Sequence, residues 1–249
     1  MTKQVIAFDL DDTLAVAKSA ITEKMAGLFG ELLTNYQVCI ISGGNMTQFE
    51  KQVLSNLDVT EQQLENLHLM PTCGTQYYRR EAGEWVQKYA HILTDEQKQR
   101  AIAALEQSAR ELGYWVEEPY GEIIEDRGSQ ITLSALGQQA PADEKYAWDP
   151  TDEKKIAIRD KVAAMLPDLD ARAGGTTSID VTMKGVDKAY GMKELMSHTG
   201  LEMKDILFVG DKLEPGGNDY PVKALGIDSV AVEKWEDTAL VIETLVKCK

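Results

Sequence analysis

Three short apolar runs, each ending in polar residues, constrain the fold of this 249-residue chain more than any other feature. They occupy residues 5–8, 38–41 and 206–209. Continuous apolar runs bounded by turn residues are typical of buried strands in a parallel sheet, and ligands bind beyond the carboxyl ends of such strands. The polar residues after each run are therefore the candidates for chemistry.

Carboxylates dominate the residues after the first and third runs. Asp9 and Asp11 follow the first run two positions apart, and on an extended chain this spacing places both side chains on one side. We therefore expect the two acids to share one small space. The third run leads to Asp211 and, after a glycine-rich turn, to Asn218 and Asp219. Oxygen ligands of this kind suit a hard divalent cation.

The second run leads to Ser42, Gly43 and Gly44. A hydroxyl beside backbone N–H groups that glycine leaves accessible can bind an anion. Together the three clusters predict phosphate chemistry at one edge of the sheet. Each cluster alone also has a simpler explanation, because paired acids can cap a turn and Ser-Gly-Gly can be only a turn.

The order of segments predicts the architecture. Residues 1–82 alternate between strand and helix patterns, and residues 185–249 return to the same alternation, which is typical of a doubly wound parallel sheet. Between them, long polar helices are predicted at 94–113 and 152–166, and the strands near Ile131 and Ile179 alternate between apolar and polar side chains. The sequence thus predicts an α/β core of residues 1–82 and 185–249 with an inserted α+β domain of residues 83–184.

Composition limits the class of partner. The net charge of −15 argues against nucleic acids and anionic membranes, because both are bound through clustered Lys and Arg. No apolar run approaches the ~20 residues of a membrane span, and Asp9 interrupts the only apolar stretch near the N-terminus, which does not fit a signal peptide. We expect a cytoplasmic protein with a small-molecule, phosphorylated substrate. Three cysteines without CxxC spacing favour neither a disulfide framework nor a zinc site, and the oligomeric state stays open.

The ordered motifs carry a family resemblance that covers nearly the whole chain. These motifs are Asp9-Leu10-Asp11-Asp12-Thr13, Ser42, Lys188 and Gly210-Asp211 with Gly217-Asn218-Asp219. In this order they resemble the haloacid dehalogenase (HAD) superfamily of phosphotransferases, which has a Rossmann-like core. A more specific match is to the eukaryotic-type phosphomannomutases and related sugar phosphatases with a C2B cap, in Ser178-Ile179-Asp180-Val181, Gly185-Val186-Asp187-Lys188 and Pro215-Gly216-Gly217-Asn218-Asp219.

The resemblance implies a role for each residue of the core. Asp9 would attack the phosphorus of a phosphate ester, and Asp11 would protonate the leaving oxygen and then activate water. Mg²⁺ would be held by Asp9, the backbone carbonyl of Asp11 and Asp211. Asn218 and Asp219 would support Asp211. The transferring phosphoryl group would be contacted by Thr13, Ser42, Gly43 and Lys188.

In the inserted domain the resemblance implies substrate contacts. Arg127 matches an arginine that binds substrate phosphate in the phosphomannomutase cap, and Ser178 and Asp180 match a pair that contacts sugar hydroxyls. From the residues alone, polar strand residues such as Ser178 and Asp180 are more often solvated than functional, and Lys188 could equally be a solvated lysine at a helix start.

The chain also departs from the phosphomannomutase pattern. Gln138 and Lys145 stand at positions where that family has cap arginines, and Lys18 replaces an arginine near the first helix. Arginine binds phosphate bidentately and lysine does not, so the grip on a bisphosphate intermediate is weakened. The sequence therefore favours a Mg²⁺-dependent phosphatase acting on a sugar phosphate. A phosphomannomutase that interconverts hexose 1- and 6-phosphates is the alternative, and a non-catalytic sugar-phosphate-binding protein is a second one.

Overall fold

A computed structural model of the protein describes residues 3–248 and divides them into two compact units. The first unit comprises residues 3–90 and 187–248, and the second unit is His91–Val186. The second unit is therefore inserted between the two halves of the first.

The described residues form eleven strands. In chain order, β1 to β11 are Val5–Phe8, Gln37–Ile41, Leu67–Met70, Gln76–Glu81, Glu84–Ala90, Ile124–Asp126, Gln130–Ser134, Leu169–Ala173, Ser178–Met183, Ile206–Gly210 and Asp228–Ala231.

Residues 3–248 also contain nine α-helices. In chain order, α1 to α9 are Glu23–Asn35, Met46–Gln52, Glu61–Leu64, Asp95–Glu111, Ala142–Trp148, Glu153–Met165, Lys188–Thr199, Tyr220–Leu225 and Trp235–Lys247. None of the helices in residues 3–248 is both long and apolar enough to cross a membrane.

The first unit is built on a seven-stranded sheet with the order β11-β10-β1-β2-β3-β4-β5. The first five strands in that order are parallel, and β1 lies in the middle of them, with Val5 opposite both Ile206 and Gln37. Alternate residues of β1 point to opposite faces, so that Val5 joins one apolar core and Ile6 the other. Helices α1 and α9 cover one face, and α7 and α8 cover the other. This confirms the predicted doubly wound α/β core and brings the carboxyl ends of β1, β2 and β10 to one edge.

Residues 84–90, directly after Gly83, belong to the first unit, contrary to the boundary expected there. Strands β4 and β5 form an antiparallel hairpin that extends the large sheet. Its turn, Ala82-Gly83, has φ of +50° and +83°, the left-handed pair that a tight hairpin turn requires. Gly83 therefore marks a hairpin turn, and the inserted unit begins at His91 and ends at Val186 instead of spanning residues 83–184.

The second unit is an antiparallel sheet of order β6-β7-β9-β8 with helices packed on one face. Ile131 and Ile179 belong to a core shared with α4 and α6, as their alternating pattern predicts. Thr132 and Asp180 lie opposite each other in the ladder on the other face, and the Thr132 hydroxyl donates a 2.7 Å hydrogen bond to Asp180. The polar face of this sheet thus carries an ordered side-chain pair.

Candidate active site

A buried lysine joins two carboxylates at the carboxyl edge of the parallel sheet. Lys188 Nζ lies 2.6 Å from Asp9 Oδ1 and 2.6 Å from Asp219 Oδ1. Asp9 directly follows β1, and its backbone N–H donates to the carbonyl of Val209, which continues the pairing of β1 with β10. Lys188 is the first residue of α7. Two distant parts of the chain therefore meet because β1 ends, and α7 begins, at the same edge of the sheet.

Three carboxylates form one acidic group here. One carboxylate oxygen from each of Asp9, Asp211 and Asp219 lies within 4.8 Å of the others. Burial raises the pKa of Asp9, Lys188 opposes that rise, and the charges of Asp219 and Asp211 add to it. Burial also raises the pKa of Asp211 to about 6, with a further contribution from Asp219. Three acids share one ammonium group, so the ionised forms repel one another.

The charge of Lys188 is held in place by the same pairing. Burial alone would lower the pKa of Lys188, but the negative charges of Asp219 and Asp9 outweigh it, and the pKa is raised. The side chain of Lys188 is 1% exposed. A cation at this position can stabilise negative charge that develops beside Asp9 without reorganisation of solvent.

The acidic group fits a hard divalent cation. With three carboxylates and one lysine, the ionised group carries an uncompensated charge that such a cation would balance. Asn218 Oδ1 is buried and has no hydrogen-bond partner among the described residues, which leaves an amide oxygen beside Asp219 in sequence. Asp219 itself accepts from Lys188 and from the backbone N–H of Lys212. Asp9 and Asp211 are therefore the more available ligands, with Asp219 as their support.

Thr13 contacts the acidic group from the loop after β1. Its hydroxyl donates a hydrogen bond of 3.3 Å to Asp211 Oδ1, and the side chain is fully buried. The contact spans 198 positions of sequence. Thr13 therefore orients Asp211.

The carboxylate of Asp11 is not part of the acidic group, although we expected it to share a space with Asp9. Strand β1 ends at Phe8, and the chain bends at Leu10, between the two acids. The extended geometry on which the expectation depended is therefore lost. Asp11 Oδ1 accepts from the backbone N–H of Lys18 at 2.7 Å and from the side-chain amide of Gln52 at 3.0 Å. Its Oδ2 accepts from Gln48 Nε2 at 3.3 Å.

Ser42 and the glycines after it form a turn braced by a second loop. The Ser42 hydroxyl accepts from the backbone N–H of Gly44 at 3.2 Å, and Gly43 lies between them. The backbone N–H groups of Cys73 and Thr72 donate to the carbonyls of Ser42 and Gly44, both at 2.9 Å. We refer to residues 42–44 as the phosphate loop, after its predicted role. The bracing fixes the direction of its peptide groups.

The bracing loop has an unusual backbone. Thr72, Cys73 and Gly74 have consecutive φ values of +50°, +56° and +82°. Left-handed conformations of residues other than glycine store strain and cluster at functional sites. Gly74 packs directly on α7, because a Cβ added at Gly74 would lie 2.4 Å from the Cα of Gly191. The loop therefore touches both the phosphate loop and the helix that carries Lys188.

The predicted substrate residues of the second unit have partners within that unit. Two guanidinium nitrogens of Arg127, Nε and Nη2, donate to Glu125 Oε2 at 2.9 and 2.8 Å, and the Arg127 side chain is 5% exposed. Asp180 accepts from Thr132, and Ser178 lies opposite Ser134 in the ladder. The structure thus places all three on or beside the small antiparallel sheet.

Two glutamines near the site were not identified from the sequence. Gln48 and Gln52 are one turn apart on α2 and both contact Asp11, as given above. The only sequence signal was their i, i+4 spacing in a helix that follows the phosphate loop. That spacing indicates a shared face but not what the face contacts.

The fold is that of the HAD superfamily of phosphotransferases, and the protein is an enzyme of that class. The family model described as eukaryotic phosphomannomutase matches residues 25–248. The chain belongs to this family. A phosphomannomutase from Encephalitozoon cuniculi (strain GB-M1) is 24% identical over 253 residues, which cover 98% of this chain and 94% of that protein.

Solved structures agree with the fold. An IMP-nucleotidase from Plasmodium falciparum superimposes with a TM-score of 0.72 at 16% identity, covering 98% of this chain and 69% of that one. A haloacid dehalogenase-like hydrolase from Bacteroides thetaiotaomicron gives a TM-score of 0.61 at 14% identity, covering 98% of this chain and all of that one. At these identities the likeness concerns the fold alone.

Proposed function

We propose that the protein is a Mg²⁺-dependent phosphatase that hydrolyses a sugar phosphate through an aspartyl-phosphate intermediate. The observation that carries the proposal is the position of Asp9, which lies 2.6 Å from a buried lysine and within an acidic group suited to a cation. A non-catalytic binding protein would have no need of this costly burial of charge.

The reaction divides into two displacements at phosphorus. An oxygen of Asp9 forms a bond to phosphorus as the bond between phosphorus and the ester oxygen breaks. The leaving ester oxygen takes a proton from the carboxyl group of Asp11. Water then attacks the phosphorus of the aspartyl phosphate and gives its proton to the Asp11 carboxylate, which releases inorganic phosphate and restores Asp9. Each displacement is easier than direct hydrolysis.

The surrounding groups stabilise the charge of the transferring phosphoryl group. Mg²⁺, when bound by Asp9, Asp211 and the backbone carbonyl of Asp11, would supply charge neutralisation and favour ionised Asp9. Lys188 and the N–H groups of the phosphate loop would bind the phosphoryl oxygens, with the Ser42 hydroxyl beside them.

The second unit would provide sugar recognition. Ser178 and Asp180 would bind sugar hydroxyls, and Arg127 would bind a phosphate of the substrate. Glu125 competes with that phosphate, because it accepts two hydrogen bonds from the Arg127 guanidinium. A phosphate at Arg127 would have to share the guanidinium with this carboxylate, which favours release over retention.

A phosphomannomutase is the second candidate, because the family match covers residues 25–248 and carries that description. A mutase must retain its bisphosphate intermediate until the sugar has reversed in the site. Arg127 pairs with Glu125, and Gln138 and Lys145 replace arginines, so we expect retention to be weak and water to compete.

Product analysis separates the two candidates. Mannose 1-phosphate and glucose 1-phosphate are incubated with the enzyme and Mg²⁺, with and without a hexose bisphosphate, and inorganic phosphate and hexose 6-phosphate are followed by ³¹P NMR. We expect free phosphate to form faster than 6-phosphate. Faster formation of the 6-phosphate would assign the protein as a mutase, and turnover of neither sugar nor aryl phosphates would favour a binding protein.

A further inference from the structure

Helix α2 directs two glutamine side chains at Asp11. Gln52 Nε2 donates to Asp11 Oδ1 at 3.0 Å and to the carbonyl of Ser19 at 2.9 Å, and Gln48 Nε2 donates to Asp11 Oδ2 at 3.3 Å. Both carboxylate oxygens of Asp11 therefore accept from a side-chain amide. Residues four apart on a helix lie on one face, so one rigid element carries both donors.

The burial of Gln52 carries a cost in stability. The residue is 2% exposed, and its Oε1 is buried without a hydrogen-bond partner among the described residues. An unsatisfied buried acceptor costs about 1–3 kcal/mol, which an apolar side chain of similar size would avoid. Both N–H groups of Gln52 are used, one on Asp11 and one on the loop that carries Asp11.

Gln48 connects Asp11 to the phosphate loop. The helix begins at Met46, and Asn45 caps it by accepting from the backbone N–H of Gln48. A Cβ at Gly44 would lie 2.5 Å from Gln48 Oε1, so the loop backbone and the Gln48 side chain are packed against each other. The amide of Gln48 thus lies between the loop predicted to bind the phosphoryl oxygens and the carboxylate predicted to move the proton.

We propose that Gln48 and Gln52 are positioning residues that fix the orientation of Asp11 relative to the phosphate loop for proton delivery to the leaving oxygen. The inference rests on the proposed function of Asp11. Loss of either amide leaves the carboxylate with fewer fixed donors and lets it sample orientations from which proton transfer is slower.

The effect of each variant should depend on the leaving group. A poor leaving group such as a sugar alkoxide needs the proton, whereas p-nitrophenolate leaves without it. The measured quantity is kcat/KM, which reports phosphoryl transfer from the ester to Asp9, for mannose 1-phosphate and for p-nitrophenyl phosphate. We expect Gln52→Met and Gln48→Met to lose about 10- to 100-fold on the sugar ester and less than about threefold on the aryl ester.

Gln63→Met is the matched control. Gln63 also donates twice through Nε2, to the carbonyl of Gly30 and to the Thr34 hydroxyl, but on α3. It should lower kcat/KM for neither ester. Thermal unfolding of all three variants shows whether they fold. Gln48 is less buried than Gln52, so Gln48→Met can still be tested if Gln52→Met does not fold.

The outcomes are distinct. An equal loss on both esters, no loss, or a gain on the sugar ester would overturn the positioning role while wild-type turnover leaves the proposed function standing. Absence of wild-type turnover with both esters would remove the proposed function, and the positioning role with it.

Discussion

Lys145 donates a hydrogen bond from Nζ to the backbone carbonyl of Gln138, 3.2 Å away. These are the two positions at which the phosphomannomutase pattern has cap arginines. The Lys145 side chain is buried, so its ammonium group is turned to its own unit. The two arginines expected to bind phosphate are thus replaced by Gln138 and Lys145, which contact each other.

We predict that restoring arginine at both positions shifts the enzyme toward isomerisation. In Gln138→Arg/Lys145→Arg, two bidentate contacts of about 1.5–3 kcal/mol each would retain a bisphosphate intermediate longer. The ratio of 6-phosphate to inorganic phosphate, measured by ³¹P NMR, should rise at least about tenfold over the wild type. An unchanged ratio in a folded double variant would show that these positions do not decide the outcome.

Asp9→Asn should remove turnover while the fold survives. The amide keeps the shape but is a poor nucleophile, and Lys188 keeps its contact with Asp219. We expect the rate to fall by about three orders of magnitude or more. Phosphate release is measured together with circular dichroism, and near wild-type turnover would eliminate Asp9 as the nucleophile.

Lys188→Met should destabilise the protein strongly. Removing the buried cation leaves Asp9 and Asp219 unpaired, and breaking a buried ion pair costs about 3–5 kcal/mol. Urea unfolding measures the free energy. Lys188→Met/Asp219→Asn removes one of the orphaned charges and should recover part of the loss; a double variant no more stable than the single one would contradict this explanation.

Mg²⁺ should stabilise the wild type against heat, and Asp211→Asn should reduce that stabilisation. A cation at 100 times its dissociation constant adds about 2.7 kcal/mol to the free energy of unfolding. The variant removes one ligand charge from the acidic group. The readout is the Mg²⁺-dependent shift in Tm, with Asp228→Asn as a control on the exposed end of β11. Equal shifts in wild type and Asp211→Asn would exclude Asp211 as a ligand.

Buried His68 should make stability depend on pH. Burial, and secondarily the charge of Arg79, lowers the pKa of His68 to about 3. Its ring nitrogens contact the Tyr77 hydroxyl and Gln37 Oε1, both at 2.9 Å. The unfolded chain binds a proton near pH 6.5 and the folded protein does not, so this contribution is full above pH 6.5 and is lost as pH falls toward 3.

Because of this linkage, protonation of His68 in the unfolded chain lowers the free energy of unfolding by about 2 kcal/mol between pH 7 and pH 5. The measurement is the difference in urea unfolding free energy between these two pH values, for the wild type and for His68→Asn. His198→Gln, at a more exposed position, is the control and should keep the wild-type difference. An equal difference in His68→Asn would assign the pH dependence to other groups.

The sequence predicted the features that depend on local pattern. Continuous apolar runs identified β1, β2 and β10, and their shared parallel direction explains why Asp9, Asp211 and Asp219 meet. The alternating strands near Ile131 and Ile179 predicted a sheet with one covered face. These features need only the period of the side chains and the edge at which parallel strands end.

The features that sequence reasoning missed depend on backbone turns and distant contacts. The chain bends at Leu10, between Asp9 and Asp11, and no residue type there required a bend. Gln48 and Gln52 reach Asp11 across 37 and 41 positions, and nothing local identifies such partners. The hairpin turn at Gly83 resembles a domain boundary in sequence, because a hairpin turn and a linker share the same residue types.

The contact between Gly74 and Gly191 has a consequence for mutational tolerance. A Cβ at Gly191 would lie 2.4 Å from Ile41 Cδ1 and 2.9 Å from the carbonyl oxygen of Cys73, so α7 is docked through bare backbone three residues beyond Lys188. In a saturation library selected for activity, both glycines should therefore be as intolerant as the lysine itself. A map of intolerant positions would therefore include two glycines that take no part in the reaction and only determine how closely α7 approaches the loop at Gly74.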